Sequence, residues 1–270
     1  MKTETSNLWN ITPGMCEETP TITAYIPDNK TSDGAVVILP GGGYYKRAPH
    51  EGKRYAEFLT DNGITAFVVE YRVSPHRFPL PLLDARRGIK FARFFADKYG
   101  IDKSKIAIMG SSAGGHLAAL TSTYFKDIET DTPADEIDKE DFLPDAQILC
   151  YPVIRLLDEK IAHIDSGQKL LGENRDVLAG SLEPDSLVSG QTPPVFIWHT
   201  QADPLVNVLN SLEYAKSLKN SGVDAELHIF PHGGHGLGLT DHIKETNPKI
   251  LKHVLQWSEL LITWLKYIGF

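Results

Sequence analysis

A serine between two glycines is the first feature of this sequence that could do chemistry. The stretch Gly110-Ser111-Ser112-Ala113-Gly114 matches Gly-x-Ser-x-Gly, follows a β-rich run and precedes an Ala/Leu-rich helical pattern. A strand, a sharp turn and a helix around such a motif expose the serine hydroxyl as a nucleophile. The alternative is an ordinary helix N-cap, a frequent role of serine. We predict that Ser112 is the nucleophile and that Ser111 fills the variable position.

A serine nucleophile needs a base, and the base needs an orienting partner. Asp203 follows the apolar run Val195–Thr200, and His235 follows another such run in the glycine-rich stretch 231–238. Side chains just past the carboxyl ends of parallel strands face the crevice where α/β proteins bind ligands. The chain order Ser, Asp, His is also that of one known class of hydrolases. We predict that Ser112, His235 and Asp203 act as nucleophile, base and orienting acid.

Other residues compete for the last two roles. His232 is the rival base, while Asp185 and Asp241 are acidic loop residues that rival Asp203. Asp203 would also suit a helix N-cap. We favour His235 because the glycines around it suit a loop that brings an imidazole close to the serine.

A metal site is the competing interpretation of the histidines. His199, His232 and His235 could bind zinc, but their spacing matches no familiar zinc pattern. His116, just inside the helix after the motif, is predicted to be a packed structural residue. We expect neither a metal nor an organic cofactor.

Glycines also follow an earlier apolar run. Ala35–Leu39 leads into Pro40-Gly41-Gly42-Gly43-Tyr44. Acyl transfer needs donors where negative charge develops, and a glycine-rich turn can present backbone N–H groups there. A phosphate loop is less compatible, because neither Lys-Ser/Thr nor Gly-x-Gly-x-x-Gly is present. The predicted oxyanion-hole donors are the N–H groups of Gly42, Gly43 and Ala113. The predicted pocket residues are Tyr44, Tyr45 and His232.

β-rich and helical patterns alternate along most of the chain, which indicates an α/β fold with a mostly parallel sheet of about eight strands and helices on both faces. The predicted strands are Thr21–Ile26, Ala35–Leu39, Thr65–Tyr71, Lys105–Met109, Ala146–Tyr151, Val195–Thr200 and Glu226–Phe230. The predicted helices are His50–Asn62, Leu82–Lys98, Ala113–Phe125, Val206–Ser221 and Pro248–Ile268. We predict one domain over residues 1–270.

Two long connections interrupt this alternation. Residues 126–144 are rich in Asp, Glu, Thr and Pro and are predicted to form a solvated loop with a short helical turn; an acidic partner-binding segment is the alternative. Residues 152–194 are too long for a plain connection and contain short helical patterns at 168–171 and 174–179. Because such long loops usually have a function, we predict a small lid or cap within the domain.

Composition excludes several classes of protein. The chain has 270 residues with 41% hydrophobic and 23% charged residues, as in a globular protein. A net charge of −8 without a basic cluster argues against nucleic-acid binding. We find neither a signal peptide nor a membrane span and predict a cytoplasmic protein, or a mature form whose signal was removed. The partner is then a small-molecule substrate, and a homodimer is compatible with the sequence.

The cysteines do not organise the fold. Cys16 and Cys150 are the two cysteines of the chain and lie far apart in the sequence, so a disulfide framework is not expected. Cys150 lies in an apolar run and is predicted to be a small core residue. Neither thiol has the pattern of a nucleophile.

From Ala35 to Ile268 the chain resembles the bacterial acetyl xylan esterase-like branch of the α/β-hydrolase superfamily, and more distantly the hormone-sensitive-lipase-like esterases. The motifs that carry the resemblance are Leu39–Tyr44, Glu70–Arg72 with Asp84–Arg86, Gly110–Ala118, Thr192–Phe196 with His199–Asp203, and Pro231–Gly238. The resemblance implies a serine esterase whose active site is Ser112, Asp203 and His235, and whose substrates are acetylated sugars or other short acyl esters.

One position departs from the lipase-like pattern. Many of those relatives have His before the three glycines, and Pro40 stands there in this chain. The backbone donors should remain, but a different group must support the loop. The alternatives to an esterase are a kynurenine-formamidase-like amidase, a prolyl-oligopeptidase-type peptidase, for whose propeller domain the chain has no room, and a non-catalytic sugar-binding protein on the same fold.

Overall fold

A single eight-stranded sheet crosses the whole protein. The computed structural model describes residues 1–14, 18–243 and 247–270, and Cys16 lies outside them. The sheet order is β1-β2-β4-β3-β5-β6-β7-β8. All neighbours from β4 to β8 pair in parallel, whereas β2 is antiparallel to both β1 and β4. The strands are β1 (Lys2–Asn7), β2 (Thr21–Ile26), β3 (Ala35–Leu39), β4 (Thr65–Glu70), β5 (Ile106–Ser111), β6 (Ala146–Cys150), β7 (Val195–Thr200) and β8 (Ala225–Phe230).

Helices connect the strands. The α-helices are α1 (Lys53–Asp61), α2 (Leu80–Phe94), α3 (Ala96–Tyr99), α4 (Ala113–Thr123), α5 (Ile164–Leu171), α6 (Arg175–Leu178), α7 (Pro184–Leu187), α8 (Leu209–Asn220), α9 (Pro248–Val254) and α10 (Gln256–Tyr267). Short 3-10 helices span Pro49–Glu51, Glu136–Lys139, Gly172–Asn174 and Ala179–Leu182.

Two hydrophobic clusters lie on opposite faces of the sheet. One takes its α-helical side chains from α2, α3, α4, α5 and α8, and the other from α1, α9 and α10. Buried parallel strands such as β3 supply side chains to both clusters, because successive residues point to opposite faces. The α/β fold predicted from the alternating pattern, a mostly parallel sheet of about eight strands with helices on both faces, is confirmed.

The predicted elements differ from the observed ones mainly at one edge. Strand β1 was not predicted, because Lys2–Asn7 carries polar side chains at every position and so lacks an apolar face. It exists because its backbone pairs with β2. The predicted last helix is interrupted at Leu255, which separates α9 from α10.

A buried ion pair fixes the sheet to α2. The Arg72 guanidinium donates to both oxygens of Asp84 at 2.8 and 2.7 Å, and both side chains are fully buried. The Trp9 indole N–H donates to the same carboxylate at 2.8 Å. Burial raises the pKa of Asp84 even against these donors. Both ion-pair residues belong to the motifs that carry the family resemblance.

The acidic connection at 126–144 contains the predicted short turn, the 3-10 helix Glu136–Lys139. Two of its acids pair with the same arginine: Arg87 of α2 binds Asp135 at 2.6 Å and Asp138 at 2.9 Å. These contacts attach the loop to α2.

The connection at 152–194 carries α5, α6 and α7 and packs on the loops that follow the parallel strands. Its Glu183 accepts the N–H groups of Leu156 and Leu157, each at 2.9 Å. The N–H of Phe78 donates to the carbonyl of Leu170 at 2.9 Å. The segment is therefore tied both to itself and to the loop before α2.

Candidate active site

Ser112 lies on the sharp turn between β5 and α4. Its backbone has φ 52° and ψ −120°, a left-handed conformation that costs energy for any residue with a Cβ. The flanking glycines are required by close contacts: a Cβ on Gly110 would lie 2.1 Å from the carbonyl oxygen of Gly114, and one on Gly114 would lie 2.2 Å from that of Leu39. The strand, turn and helix predicted around the motif are all present.

A continuous hydrogen-bonded chain connects the three predicted residues. His235 Nε2 lies 2.9 Å from Ser112 Oγ, and His235 Nδ1 lies 2.7 Å from Asp203 Oδ2. Ser112 follows β5, Asp203 follows β7 and His235 follows β8. Because the sheet is parallel here, the three loops meet at the carboxyl edge of the strands.

Asp203 is held by donors on both of its oxygens. Oδ1 accepts the N–H groups of Leu205 and Val206 at 2.9 and 3.0 Å, while Oδ2 accepts from His235. Burial alone would raise the pKa of this carboxyl, but the hydrogen bonds from His199 and His235 outweigh burial and hold the pKa well below its usual value. An ionised carboxylate at this place keeps the proton of His235 on Nδ1 and leaves Nε2 free to accept one.

His199 is a second histidine at the Asp203 carboxylate, and this contact was not predicted from the sequence. It is fully buried on β7, with Nδ1 2.8 Å from Ser211 Oγ and Nε2 3.0 Å from the Val206 carbonyl. Nε2 also lies 3.3 Å from Asp203 Oδ2. A carbonyl can only accept, so Nε2 carries the proton and is shared with the carboxylate. The i, i+4 spacing to Asp203 was the signal available in the sequence.

The glycine loop lies against the nucleophile. A Cβ built on Gly41 would be 3.1 Å from the Cβ of Ser112. The turn is closed by the Gly42 carbonyl, which accepts from Tyr45 and Lys46 at 3.0 and 3.1 Å. Within residues 1–14, 18–243 and 247–270, the N–H groups of Gly42 and Gly43 donate to no protein atom. The N–H of Ala113 lies at the first position of α4, where helical N–H groups have no intrahelical acceptor.

The three predicted pocket residues have different environments. Tyr44 is 1% exposed; its ring packs between Tyr71 and His116 and its hydroxyl lies 2.8 Å from His116 Nδ1. The Tyr44 side chain, at a positive φ, is therefore packed in the core, which does not support the prediction that it lines the pocket. Tyr45 is 65% exposed, with the Lys169 ammonium of α5 5.4 Å from its ring centre. His232 is exposed, and it is His235 that contacts Ser112.

The rival acids bind elsewhere. Asp185 pairs with Arg155 at 2.5 Å, and Asp241 accepts from Arg54 Nε at 2.6 Å. Among the described residues no group of three or more His, Cys, Asp or Glu side chains could hold a metal ion. Both ring nitrogens of His199 already make hydrogen bonds, one with Ser211 Oγ and the other with the Val206 carbonyl.

His116 and Cys150 are structural, as predicted. His116 is buried, and besides Tyr44 it contacts the carbonyl of Leu182 at 3.0 Å, so it joins the glycine loop to the 152–194 segment. Burial lowers its pKa to about 4. Cys150 is fully buried, and burial raises its pKa to about 12, which leaves the thiol unreactive.

The depressed pKa of His116 predicts a pH dependence of stability. The pKa of His116 is about 4 in the folded protein, against an ordinary value of 6.5. As pH falls from 6.5 toward 4, the unfolded chain therefore binds a proton that the folded protein does not, and the free energy of unfolding decreases. Between pH 7 and 5 this linkage should remove about 2 kcal/mol of unfolding free energy. We expect His116→Gln to lose that much less between the two pH values, measured by urea unfolding. Equal losses in both proteins would contradict a buried neutral His116.

Comparison with known proteins shows the family of the chain. The family model described as BD-FAE matches residues 22–218, a range that includes Ser112 and Asp203 and ends before His235. The chain belongs to the BD-FAE family. In the part of this BD-FAE chain that the structure describes, no helix is long and apolar enough to cross a membrane.

Several characterised proteins are similar to this BD-FAE chain. It is 36% identical over 229 residues to endo-1,4-beta-xylanase B of Butyrivibrio fibrisolvens and 33% identical over 239 residues to an acetylxylan esterase of Xylanibacter ruminicola, covering 82% and 86% of this chain. The matched regions are 35% and 46% of those relatives, so the chain spans less than half of their length.

A solved structure covers the whole domain. The acetyl ester-xyloside bifunctional hydrolase of Caldicellulosiruptor lactoaceticus is 41% identical, with a TM-score of 0.88 over 99% of this chain and 97% of that one. The resemblance to acetyl xylan esterase-like α/β hydrolases is confirmed.

Proposed function

We propose that this BD-FAE protein is a serine esterase that hydrolyses short-chain, chiefly acetyl, carboxylic esters, with acetylated sugars or xylo-oligosaccharides as the substrate class. The observation that carries the proposal is the hydrogen-bonded chain from Ser112 Oγ through His235 to Asp203. The names of the acetylxylan esterase and of the acetyl ester-xyloside hydrolase support acetylated saccharides as substrates.

The reaction proceeds in two acyl-transfer steps. Ser112 Oγ attacks the ester carbonyl while its proton passes to His235 Nε2, and the imidazolium then protonates the departing alcohol. In the second step water gives a proton to His235 and attacks the acyl-enzyme, which releases the acid and restores the Ser112 hydroxyl. Asp203 stabilises the imidazolium in both steps.

Three backbone donors are assigned to stabilise the negative charge that develops on the carbonyl oxygen. The N–H groups of Gly42 and Gly43, which donate to no described protein atom, and that of Ala113 at the start of α4 form the proposed oxyanion hole. Such donors stabilise the tetrahedral intermediate more than the ground state. No step uses a metal or an organic cofactor.

The segment 152–194 is proposed to cover one side of the site. His163 of this segment is half-buried, and burial together with the nearby charge of His235 lowers its pKa. The Leu182 carbonyl of this segment contacts His116 Nε2 of α4, the helix that begins beside Ser112, at 3.0 Å. Lys169, close to Tyr45, brings α5 to the same side. The segment and Tyr45 therefore form proposed walls of the substrate pocket.

A substrate panel tests the proposal. We expect kcat/KM for p-nitrophenyl esters to be highest for acetate and to fall steeply toward decanoate, with hydrolysis of acetylated xylose and acetylxylan alongside. Tyr45→Ala should raise KM for acetylated xylo-oligosaccharides more than for p-nitrophenyl acetate, because an exposed ring contacts mainly the sugar. A maximum at long acyl chains would refute the acetyl preference, and faster turnover of an aryl formamide would show a formamidase instead.

Cellular location and assembly are further parts of the proposal. We propose a cytoplasmic protein that acts on small esters. Cell fractionation and light scattering of the purified protein measure the location and the oligomeric state, including the homodimer.

A further inference from the structure

A buried carboxylate lies directly beneath the glycine loop. Glu51, the last residue of the 3-10 helix Pro49–Glu51, is 3% exposed. Its Oε2 accepts the N–H of Gly41 at 2.8 Å, and its Oε1 accepts the hydroxyl of Tyr151 at 2.7 Å. Both oxygens accept from donors, which is the hydrogen bonding of an ionised carboxylate.

The Tyr151 hydroxyl extends this contact into a directed chain. Ser111 Oγ donates to Tyr55 OH at 3.3 Å, and Tyr55 OH lies 3.2 Å from Tyr151 OH. Since Tyr151 donates its single proton to Glu51, Tyr55 must donate to Tyr151. Each hydroxyl therefore donates once toward Glu51, and the carboxylate is the acceptor at the end of the chain.

The same hydroxyl reaches the loop of the base. The N–H of Gly238 donates to Tyr151 OH at 3.2 Å, and the Tyr151 ring meets the His235 ring edge-on at a centroid distance of 5.1 Å. One carboxylate thus connects the oxyanion loop, the strand β5 that ends at Ser111 and the loop that carries His235.

Burying the Glu51 carboxylate costs desolvation free energy, so its presence needs a physical reason. Burying an ionised group loses its hydration, and the loss is offset by a close cation or by well-placed donors. In the described part of the chain no Lys or Arg nitrogen lies within 4.0 Å of Glu51, and His50 Nε2, at 3.7 Å, also contacts the Gly236 carbonyl at 3.1 Å. Apolar residues would fill the same space at a lower desolvation cost. We therefore attribute the presence of Glu51 to the donors that it holds in place.

We propose that Glu51 is a positioning residue that holds the oxyanion loop and the His235 loop in register with Ser112, replacing the support that lipase-like relatives obtain from the residue at Pro40. The proposal rests on the proposed esterase activity. Among the described residues Glu51 makes no hydrogen bond to Ser112, His235 or Asp203, so it acts on them through Gly41 and Tyr151.

Glu51→Gln is the direct test. The glutamine amide has one acceptor oxygen, so it can serve the Gly41 N–H only if its NH₂ faces Tyr151, which reverses the hydroxyl chain. We expect kcat to fall by about 10- to 100-fold, since removal of a whole oxyanion donor costs about 10²- to 10³-fold. KM should stay within about threefold, because the ground-state ester needs these donors less.

A tetrahedral mimic separates positioning from mere folding. Affinity for a trifluoromethyl ketone, which becomes a hemiketal on Ser112, should fall by the same factor as kcat/KM, whereas affinity for the product acid should not change. Tyr151→Phe, which keeps the ring and removes the hydroxyl, should show the same pattern with a smaller loss. Tyr151→Phe also provides the test of the proposal if Glu51→Gln does not fold.

Asp145→Asn is the matched control. Asp145 is a partly buried carboxylate that accepts the Ile106 N–H at 2.8 Å at the opposite end of the strands. Asp145→Asn should lower the free energy of unfolding without lowering kcat. The proposal is overturned if Glu51→Gln and Tyr151→Phe keep wild-type kcat and ketone affinity, or if kcat and product affinity fall together. Absence of ester hydrolysis by the wild-type protein would instead refute the proposed function.

Discussion

Ser112→Ala should lower kcat for p-nitrophenyl acetate by on the order of 10⁴- to 10⁶-fold, the loss expected when a hydroxyl nucleophile is removed from an intact triad. The residual rate over water would come from binding and from the oxyanion donors, which the substitution leaves in place. Folding should be unaffected, because Ala carries the same Cβ as Ser at the positive φ of this turn.

A fluorophosphonate probe provides the second measurement. It should label the wild-type protein at Ser112 and should not label Ser112→Ala. Ser122→Ala is the matched control, because Ser122 is a buried serine of the same helix α4 whose hydroxyl donates to the Ala118 carbonyl at 2.8 Å. It should keep full activity and full labelling. Hydrolysis at the wild-type rate by Ser112→Ala would remove Ser112 from the mechanism.

Asp203→Asn should reduce kcat by about 10⁴-fold with little change in KM. The carboxylate accepts on both oxygens, from Leu205 and Val206 on Oδ1 and from His235 on Oδ2. An amide has one acceptor, so its NH₂ group must face either the backbone donors or the two histidines. If it faces His235, the imidazole takes the tautomer with its proton on Nε2, which cannot accept the proton of Ser112.

Asp241→Asn is the control for this variant. Asp241 was one of the two rival acids in the sequence, and its carboxylate pairs with Arg54 at the surface. It should keep wild-type kcat, whereas Asp203→Asn should not. Activity of Asp203→Asn within tenfold of wild type, with unchanged circular dichroism, would show that His235 does not depend on Asp203.

Sequence alone determined the elements that carry the site. Ala35–Leu39 and Val195–Thr200 were placed with their observed bounds, because strands buried on both faces are continuous apolar runs. Ser112 could be predicted because the Gly-x-Ser-x-Gly spacing reflects backbone contacts within one turn, so the requirement is local and is written in consecutive residues. The structure brings His235 and Asp203 to that serine.

Tertiary structure decided what depends on residues distant in the sequence. Strand β1 has no apolar face and exists only through its pairing with β2. Tyr44 follows the oxyanion glycines, but its backbone turns the ring into the core against His116, 72 residues later. Glu51 resembles any surface glutamate in the sequence; only the fold buries it against Gly41 and Tyr151. A local pattern records the backbone of its own turn, whereas burial and long-range hydrogen bonds are properties of how separate elements pack.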